Sequence, residues 1–225
     1  MSSLVILVLF IRLELRNKSP ILDLSLFRIR LFSASTASAV LNYVCLYSVI
    51  FLLPFYLIQG RGLNPEQAGL LLTAQPIVMA VSAPLSGLLS DRIGSRLLST
   101  LGMGILALGL FLLSRLGPIS PNSQVLSSLA VTGLGTGIFI SPNTSALLGS
   151  APRQRQGIAS GILATARNVG MVLGVGLAGA IFTSVTAQIG QDALFKAVQL
   201  GLEVGAGVAV LGVFVSLVRG NKKSE

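Results

Sequence analysis

Six stretches of this 225-residue chain are apolar over lengths that few folds in water tolerate. They lie near 32–58, 67–90, 97–116, 124–149 and 157–187, with a sixth near 198–218 interrupted only by Glu203 close to its start. Crossing a hydrocarbon core of about 30 Å takes roughly 20 helical residues, and each stretch supplies them. Inside hydrocarbon every backbone N–H and C=O must be satisfied within the segment, so such stretches fold as helices. Composition agrees. Charged residues make up 10% of the chain, hydrophobic residues 52%, and the mean hydropathy is +0.85. Soluble domains average about 25% charged residues, and a chain this apolar cannot cover a water-facing surface or stay disordered. The short connections make neighbouring spans antiparallel and leave no room for a soluble domain between them. The expected fold is an all-α, multi-pass membrane bundle.

The net charge is +9, from 16 Lys and Arg against 7 Asp and Glu. With the spans placed, that charge reads as topology rather than as nucleic-acid affinity. Segments 12–31, 91–96, 150–156 and 219–225 together hold twelve basic residues, while Arg61, Arg115 and Lys196 stand on the other side and Arg167 lies within a span. Basic loops stay cytoplasmic, which puts the richer side and the C-terminus in the cytoplasm of a cell-membrane protein. The chain has no His and one Cys, Cys45, inside an apolar run. That excludes imidazole ligation of haem, most zinc sites, disulfides and every His-dependent catalytic dyad, so neither cofactor nor metal is expected.

Polarity is unevenly spread among the spans. In the first, Ser35, Ser38 and Asn42 form one stripe at helical spacing, and Thr36, Tyr43 and Tyr47 form the adjacent one. Such residues either line a wet cavity, which makes Ser38, Asn42, Tyr43 and Tyr47 substrate candidates, or glue neighbouring helices together. By contrast 101–113 has no polar side chain, and 204–218 has only Ser216. Arg167 lies ten residues beyond Gly157, about 15 Å at 1.5 Å per residue, or half of a core of about 30 Å. A guanidinium at that depth is costly, so Arg167 is expected either to face the cavity or the other half and pair there, with Asn168 beside it, or to be pinned to backbone carbonyls at a bent helix. Gly133, Gly135 and Gly137 in one span, and Gly170 and Gly174 in another, have the small-residue spacing that lets helices approach closely. Pro54, Pro76, Pro84 and Pro142 are expected to bend their helices.

The N-terminus departs from this pattern. Leu4–Ile11 is apolar but too short to span, and Arg12, Glu14, Arg16 and Lys18 follow it. It lacks the basic start and small-residue cleavage site of a signal peptide. Residues 1–11 therefore read as the cytoplasmic end of a truncated helix, 12–31 as a cytoplasmic linker, 32–218 as a six-helix unit and 219–225 as a basic cytoplasmic tail.

Between the second and third spans the chain reads Gly87-Leu-Leu-Ser-Asp91-Arg92-Ile-Gly94-Ser-Arg96-Leu97. This resembles the G-x-x-x-D-[RK]-x-G-x-[RK]-[RK] signature of the major facilitator superfamily. It matches at Gly87, Asp91, Arg92, Gly94 and Arg96 and departs at Leu97. Pro20 to Arg28, Gly133 to Gly137 followed by Pro142, and Arg167-Asn168-x-Gly170 look like the 14-span drug:proton antiporter branch. The resemblance covers about residues 12–218 and implies the six-helix C-terminal half of such a bundle. It implies that the first and fourth spans line the cavity while the third and sixth face lipid. It further implies alternating access of two halves about a midplane site, with Asp91, Arg92 and Arg96 in a cytoplasmic charge network. The acidic residues that usually couple protons to drug export lie in the family's N-terminal half and have no counterpart here.

The expected function is half of a secondary transporter exporting drugs or metabolites against protons. Its partners are the lipid bilayer, a small-molecule substrate, and the missing N-terminal half, in cis or as a separate chain. A non-transporting module derived from a transporter, or a truncated gene product, is the competing expectation. An enzyme fits least, because no nucleophile–base pair or metal cluster can be assembled.

Overall fold

A computed structural model describes residues 24–189 and 193–218. The truncated helix expected at 1–11, most of the linker at 12–31 and the tail at 219–225 lie outside the described residues. After a 3-10 turn at Leu24–Arg28 come α1 (Arg30–Pro54), a π turn (Phe55–Gly60), α2 (Pro65–Leu72), α3 (Ala74–Ile93), α4 (Ser95–Ser114), α5 (Asn122–Ser150), α6 (Gln156–Ile189) and α7 (Ala193–Val218). They compose six helical segments long and apolar enough to cross a membrane, α1 with its π turn forming the first and α2 with α3 the second.

The interruptions have local causes. Asn64 caps α2 by accepting from the Gln67 N–H at 2.8 Å, and Pro65 occupies the first helical position, where no N–H is missed. The break at Thr73 falls where the ring of Pro76 meets the carbonyl four residues back, that of Leu72. Pro54 likewise ends α1, and the chain runs on through the π turn before reversing.

Packing follows a two-fold pattern. α1 packs on α6 as α5 packs on α3, α4 packs on α5 as α7 packs on α1, and α4 meets α7. Exchanging the first three spans with the last three reproduces the same set of neighbours, as a three-plus-three inverted repeat requires. The core runs through Leu52, Leu53, Met103, Leu106, Leu110, Leu129, Phe139 and Leu202. Cys45 is a packing residue within it, its thiol 3.3 Å from the Gly205 carbonyl.

The two ends of the bundle are tied differently. At one end Arg155 donates to Ser25 Oγ at 3.0 Å, and Leu26 and Phe32 pack on Leu147 and Ile162. At the other, Tyr56 Oη donates to the Gly117 carbonyl at 2.8 Å and Gln199 Nε2 to that of Leu116 at 2.9 Å. Arg115 and Glu203 form an exposed ion pair at 3.6 Å there, which places Glu203 at an end of the bundle.

Burial is unequal. In their most apolar stretches the first, third and fourth spans are 50–56% buried, whereas the second reaches 22% and the fifth 17%. The outward side chains of those two are large and apolar, among them Ile77, Val81 and Leu88 on α3 and Val172 and Leu173 on α6.

Candidate functional site

The signature turn is as short as a joint between helices can be. α3 ends at Ile93, α4 starts at Ser95, and Gly94 alone connects them at φ 90° and ψ 142°. A side chain at that φ would be strained, so the position requires glycine. Gly87, two turns earlier, faces α5: a Cβ there would lie 2.7 Å from Ser141 Oγ. The Arg96 guanidinium reaches across to α7 and donates to the Leu217 carbonyl. A cation there complements the negative end of the helix dipole. One turn on, Thr100 Oγ1 and Ser216 Oγ hold the same two helices at 3.0 Å. Asp91 and Arg92 are exposed and, among the described residues, make no hydrogen bond or ion pair.

The two polar stripes of α1 part company. Ser35, Ser38 and Asn42 are fully buried inside the bundle. Asn42 Nδ2 lies 3.5 Å from Met103 Sδ, and the Asn143 Nδ2 donates to the Ser35 carbonyl at 3.1 Å. Ser38 and Asn42, expected either to line a cavity or to glue neighbouring helices, have no accessible surface in this six-helix unit. Tyr43 and Tyr47 are only half-buried, and beside them stands Arg167 of α6, exposed as is Asn168. Its guanidinium carbon sits 5.9 Å from the Tyr43 ring centroid, and Tyr47 stands beside it. Both tyrosines fall near the middle of the first span, Arg30–Gly60, so Arg167 lies at mid-length of the bundle.

Glycines bring α6 to that position. A Cβ on Gly170 would lie 2.6 Å from Tyr43 Cβ and 2.8 Å from the Val40 carbonyl oxygen, and one on Gly174 would lie 2.5 Å from that of Val44. Ser48 Oγ donates to the Gly174 carbonyl at 3.2 Å along the same seam. Gly133 and Gly137 of α5 press on Gln75 and Met79 of the second span in the same way. Gly135 faces α4, where a Cβ would lie 2.8 Å from the Gly102 carbonyl oxygen.

Asn143 and Thr144 add to the site although the sequence reading stopped at neighbouring Pro142. With Ala39, Tyr43, Phe139 and Leu163 they line a seam where α1, α5 and α6 meet, too tight to admit a water molecule. The available signal was an amide and a hydroxyl directly after a proline inside a membrane-spanning stretch. No group of three or more Cys, Asp or Glu that could hold a metal occurs among the described residues.

Comparison with known proteins places this geometry in a family. The model of the Major Facilitator Superfamily matches residues 36–223. The chain is 36% identical over 187 residues to the riboflavin transporter RibZ of Clostridioides difficile, the match covering 83% of this chain and 40% of RibZ. It is 41% identical over 171 residues to the uncharacterized transporter YebQ of Escherichia coli, covering 76% of this chain and 37% of that one. The multidrug resistance protein Stp of Mycobacterium tuberculosis is 30% identical over 176 residues, 78% of this chain and 33% of Stp. The chain thus spans well under half the length of these relatives. Among solved structures, a bacterial homologue of the human drug peptide transporters PepT1 and PepT2 superposes with a TM-score of 0.71 at 24% identity, covering 86% of this chain and 43% of that one. That likeness concerns the fold. Family match, relatives and six-helix architecture agree, and this chain belongs to the Major Facilitator Superfamily.

Proposed function

We propose that the six spans serve as the C-terminal half of a secondary transporter of the drug:proton antiporter type, exporting a small organic molecule by alternating access. The other half, in cis or as a separate chain, closes the site and supplies the proton-coupling carboxylates. The observation that carries this reading is the exposed polar patch of Tyr43, Tyr47, Arg167 and Asn168 at mid-length of the bundle. Lipid has no use for a guanidinium and two phenols at that depth, whereas a water-filled cavity between two halves does. The relatives named above, a riboflavin transporter and a multidrug resistance protein, support small organic molecules as the cargo.

In this reading the end bearing Arg28, Arg92, Arg96, Arg153 and Arg155 is cytoplasmic, with the C-terminus there. Asp91 and Arg92 are held out on the Gly94 joint for charges of the opposite half, and Arg96 locks α4 to α7 so that the joint moves as one piece. The test is expression in a strain stripped of efflux pumps. The six spans alone should leave dye retention unchanged, and the same spans joined to an N-terminal half should give energy-dependent efflux. Robust export by the six spans as monomers would overturn the half-transporter reading. A C-terminal reporter active only outside the membrane would overturn the orientation.

A further inference from the structure

Two stretches far apart in sequence build one corner of the bundle. The 3-10 turn Leu24–Arg28 is clamped onto the joint between α5 and α6. Arg155 donates to Ser25 Oγ at 3.0 Å, and Leu26 and Phe32 are buried with Leu147, Ala151 and Ile162. That joint is itself a 3-10 turn, Arg153–Arg155, following Pro152. The clamp brings the arginines of both stretches together: Arg28 and Arg30 on one, Arg153 and Arg155 on the other, all exposed. Phe27 stands among them, edge-on to Phe32 with ring centroids 5.4 Å apart and its outer side exposed. Both α1 and α6 begin here with no acidic residue in the first turn, so the positive ends of two helices add to the same sign.

The positive charge survives a full count. Over 12–31 and 150–156 the sequence has five and two basic residues, seven in all, against Glu14 and Asp23. The joint from Asp91 to Arg96 at the same end is different in kind, since it carries its own carboxylate and its Arg96 is engaged with the Leu217 carbonyl. Position decides what meets the corner. α1 and α6 run from it into the bilayer, so its arginines and the Phe27 ring stand at the level of the lipid headgroups. Basic side chains beside an apolar ring have the composition of a membrane-surface anchor. We propose that Arg28, Arg30 and Arg153, with the Phe27 ring between them, form a docking site for the headgroup of an anionic phospholipid, which holds the segment entering α1 against the membrane surface. The guanidinium donors take the phosphate, and the ring lies against the apolar part of the same lipid. Which leaflet the site meets follows the orientation proposed above, whereas the preference for anionic lipid does not depend on it.

The experiment uses the full chain in neutral maltoside micelles, loaded with phosphatidylglycerol or with phosphatidylcholine of the same acyl chains, and counts bound lipid by native mass spectrometry. Wild type should hold phosphatidylglycerol about tenfold more tightly than phosphatidylcholine, and added salt should erode that preference. Arg28→Gln and Arg153→Gln should each weaken phosphatidylglycerol binding by about fivefold, with phosphatidylcholine retention and thermal unfolding unchanged. Arg28→Lys should keep most of the preference, because an ammonium still binds phosphate as a point charge. Arg92→Gln, on the other joint, should leave the lipid preference as it is. Equal retention of the two lipids, a preference that survives Arg28→Gln combined with Arg153→Gln, or an equal loss from Arg92→Gln would each overturn the site. Displacement of phosphatidylglycerol by millimolar inorganic phosphate would reveal a site for free anions and overturn the lipid assignment as well.

Discussion

α1 carries two polar stripes about 100° apart, and the molecule uses them in opposite ways. Ser35, Ser38 and Asn42 face α4 and α5 and have no accessible surface, while Tyr43 and Tyr47 look outward to Arg167. The inner stripe consists of small side chains, which suits a region where α4 and α5 approach through Gly102 and Gly135. Bulky phenols do not fit there and stand where space is open. At this level of α1 the room left by α4 and α5, rather than polarity, separates the inner stripe from the outer one, whereas Tyr56 further along the same span is buried where its hydroxyl finds the Gly117 carbonyl.

The sharpest way to break this comparison is to put volume on the inner side. Gly135→Leu drives a side chain into the backbone of Leu106 and Gly102, and should cost about 3 kcal/mol or more. Loss of the folded chain from membranes, followed by fluorescence-detected size exclusion, is the expected result. Wild-type accumulation would show that α4 and α5 can separate freely.

On the outer side the reverse should hold. Arg167→Leu removes an exposed charge and should insert at least as well as wild type, since the guanidinium costs about 2.5–3.5 kcal/mol at the bilayer centre. In a transporter completed by its other half, the same variant should lower export by about tenfold or more, the loss of a charge-assisted contact. Export at the wild-type rate, normalised to protein in the membrane, would make the outer stripe as structural as the inner one.

Asp91→Asn comes next. The side chain is exposed and unpaired among the described residues, so stability should not change. The completed transporter should turn over about fivefold more slowly, a coupling at the lower end of the usual 1–3 kcal/mol. An unchanged rate would reduce the turn to a basic loop that sets topology.

The smallest effect, and one of opposite sign, is expected at Asn42. Among the described residues its Oδ1 has no hydrogen-bond partner, and Nδ2 meets only the weak acceptor Met103 Sδ. Asn42→Leu should stabilise the chain by about 1 kcal/mol through removal of an unsatisfied buried group. Its export should match wild type. A loss of export would return Asn42 to the functional face.

Fold and turn were legible in the sequence because each rests on a local rule. A span needs only length and apolarity, and the Gly94 joint needs only a residue free to adopt positive φ. The split between the stripes was not legible, since the helical period says which residues share a face but not which neighbour that face meets. Arg167 was legible as a costly charge at depth, yet its partners on α1 follow from a contact between spans 1 and 5. The part played by Asn143 was hidden for the same reason: its donation to Ser35 joins residues 108 positions apart.

Gly170 and Gly174 seat α6 directly on the backbone of α1, and Ser48 fastens the same seam. Only the Tyr43 Cβ and the Ser48 hydroxyl stand between the two backbones there, so in the transporter reading the helices travel together. Arg167 rides on one of them and Tyr43 and Tyr47 on the other, so in that reading the width of the patch is a constant of the conformational cycle rather than a variable in it. Mechanics and selectivity are then separately heritable. In that reading a substitution at 47, outside the glycine seam, retunes what is recognised without touching the machinery of movement, and a change at the Gly94 joint alters the movement without altering the taste.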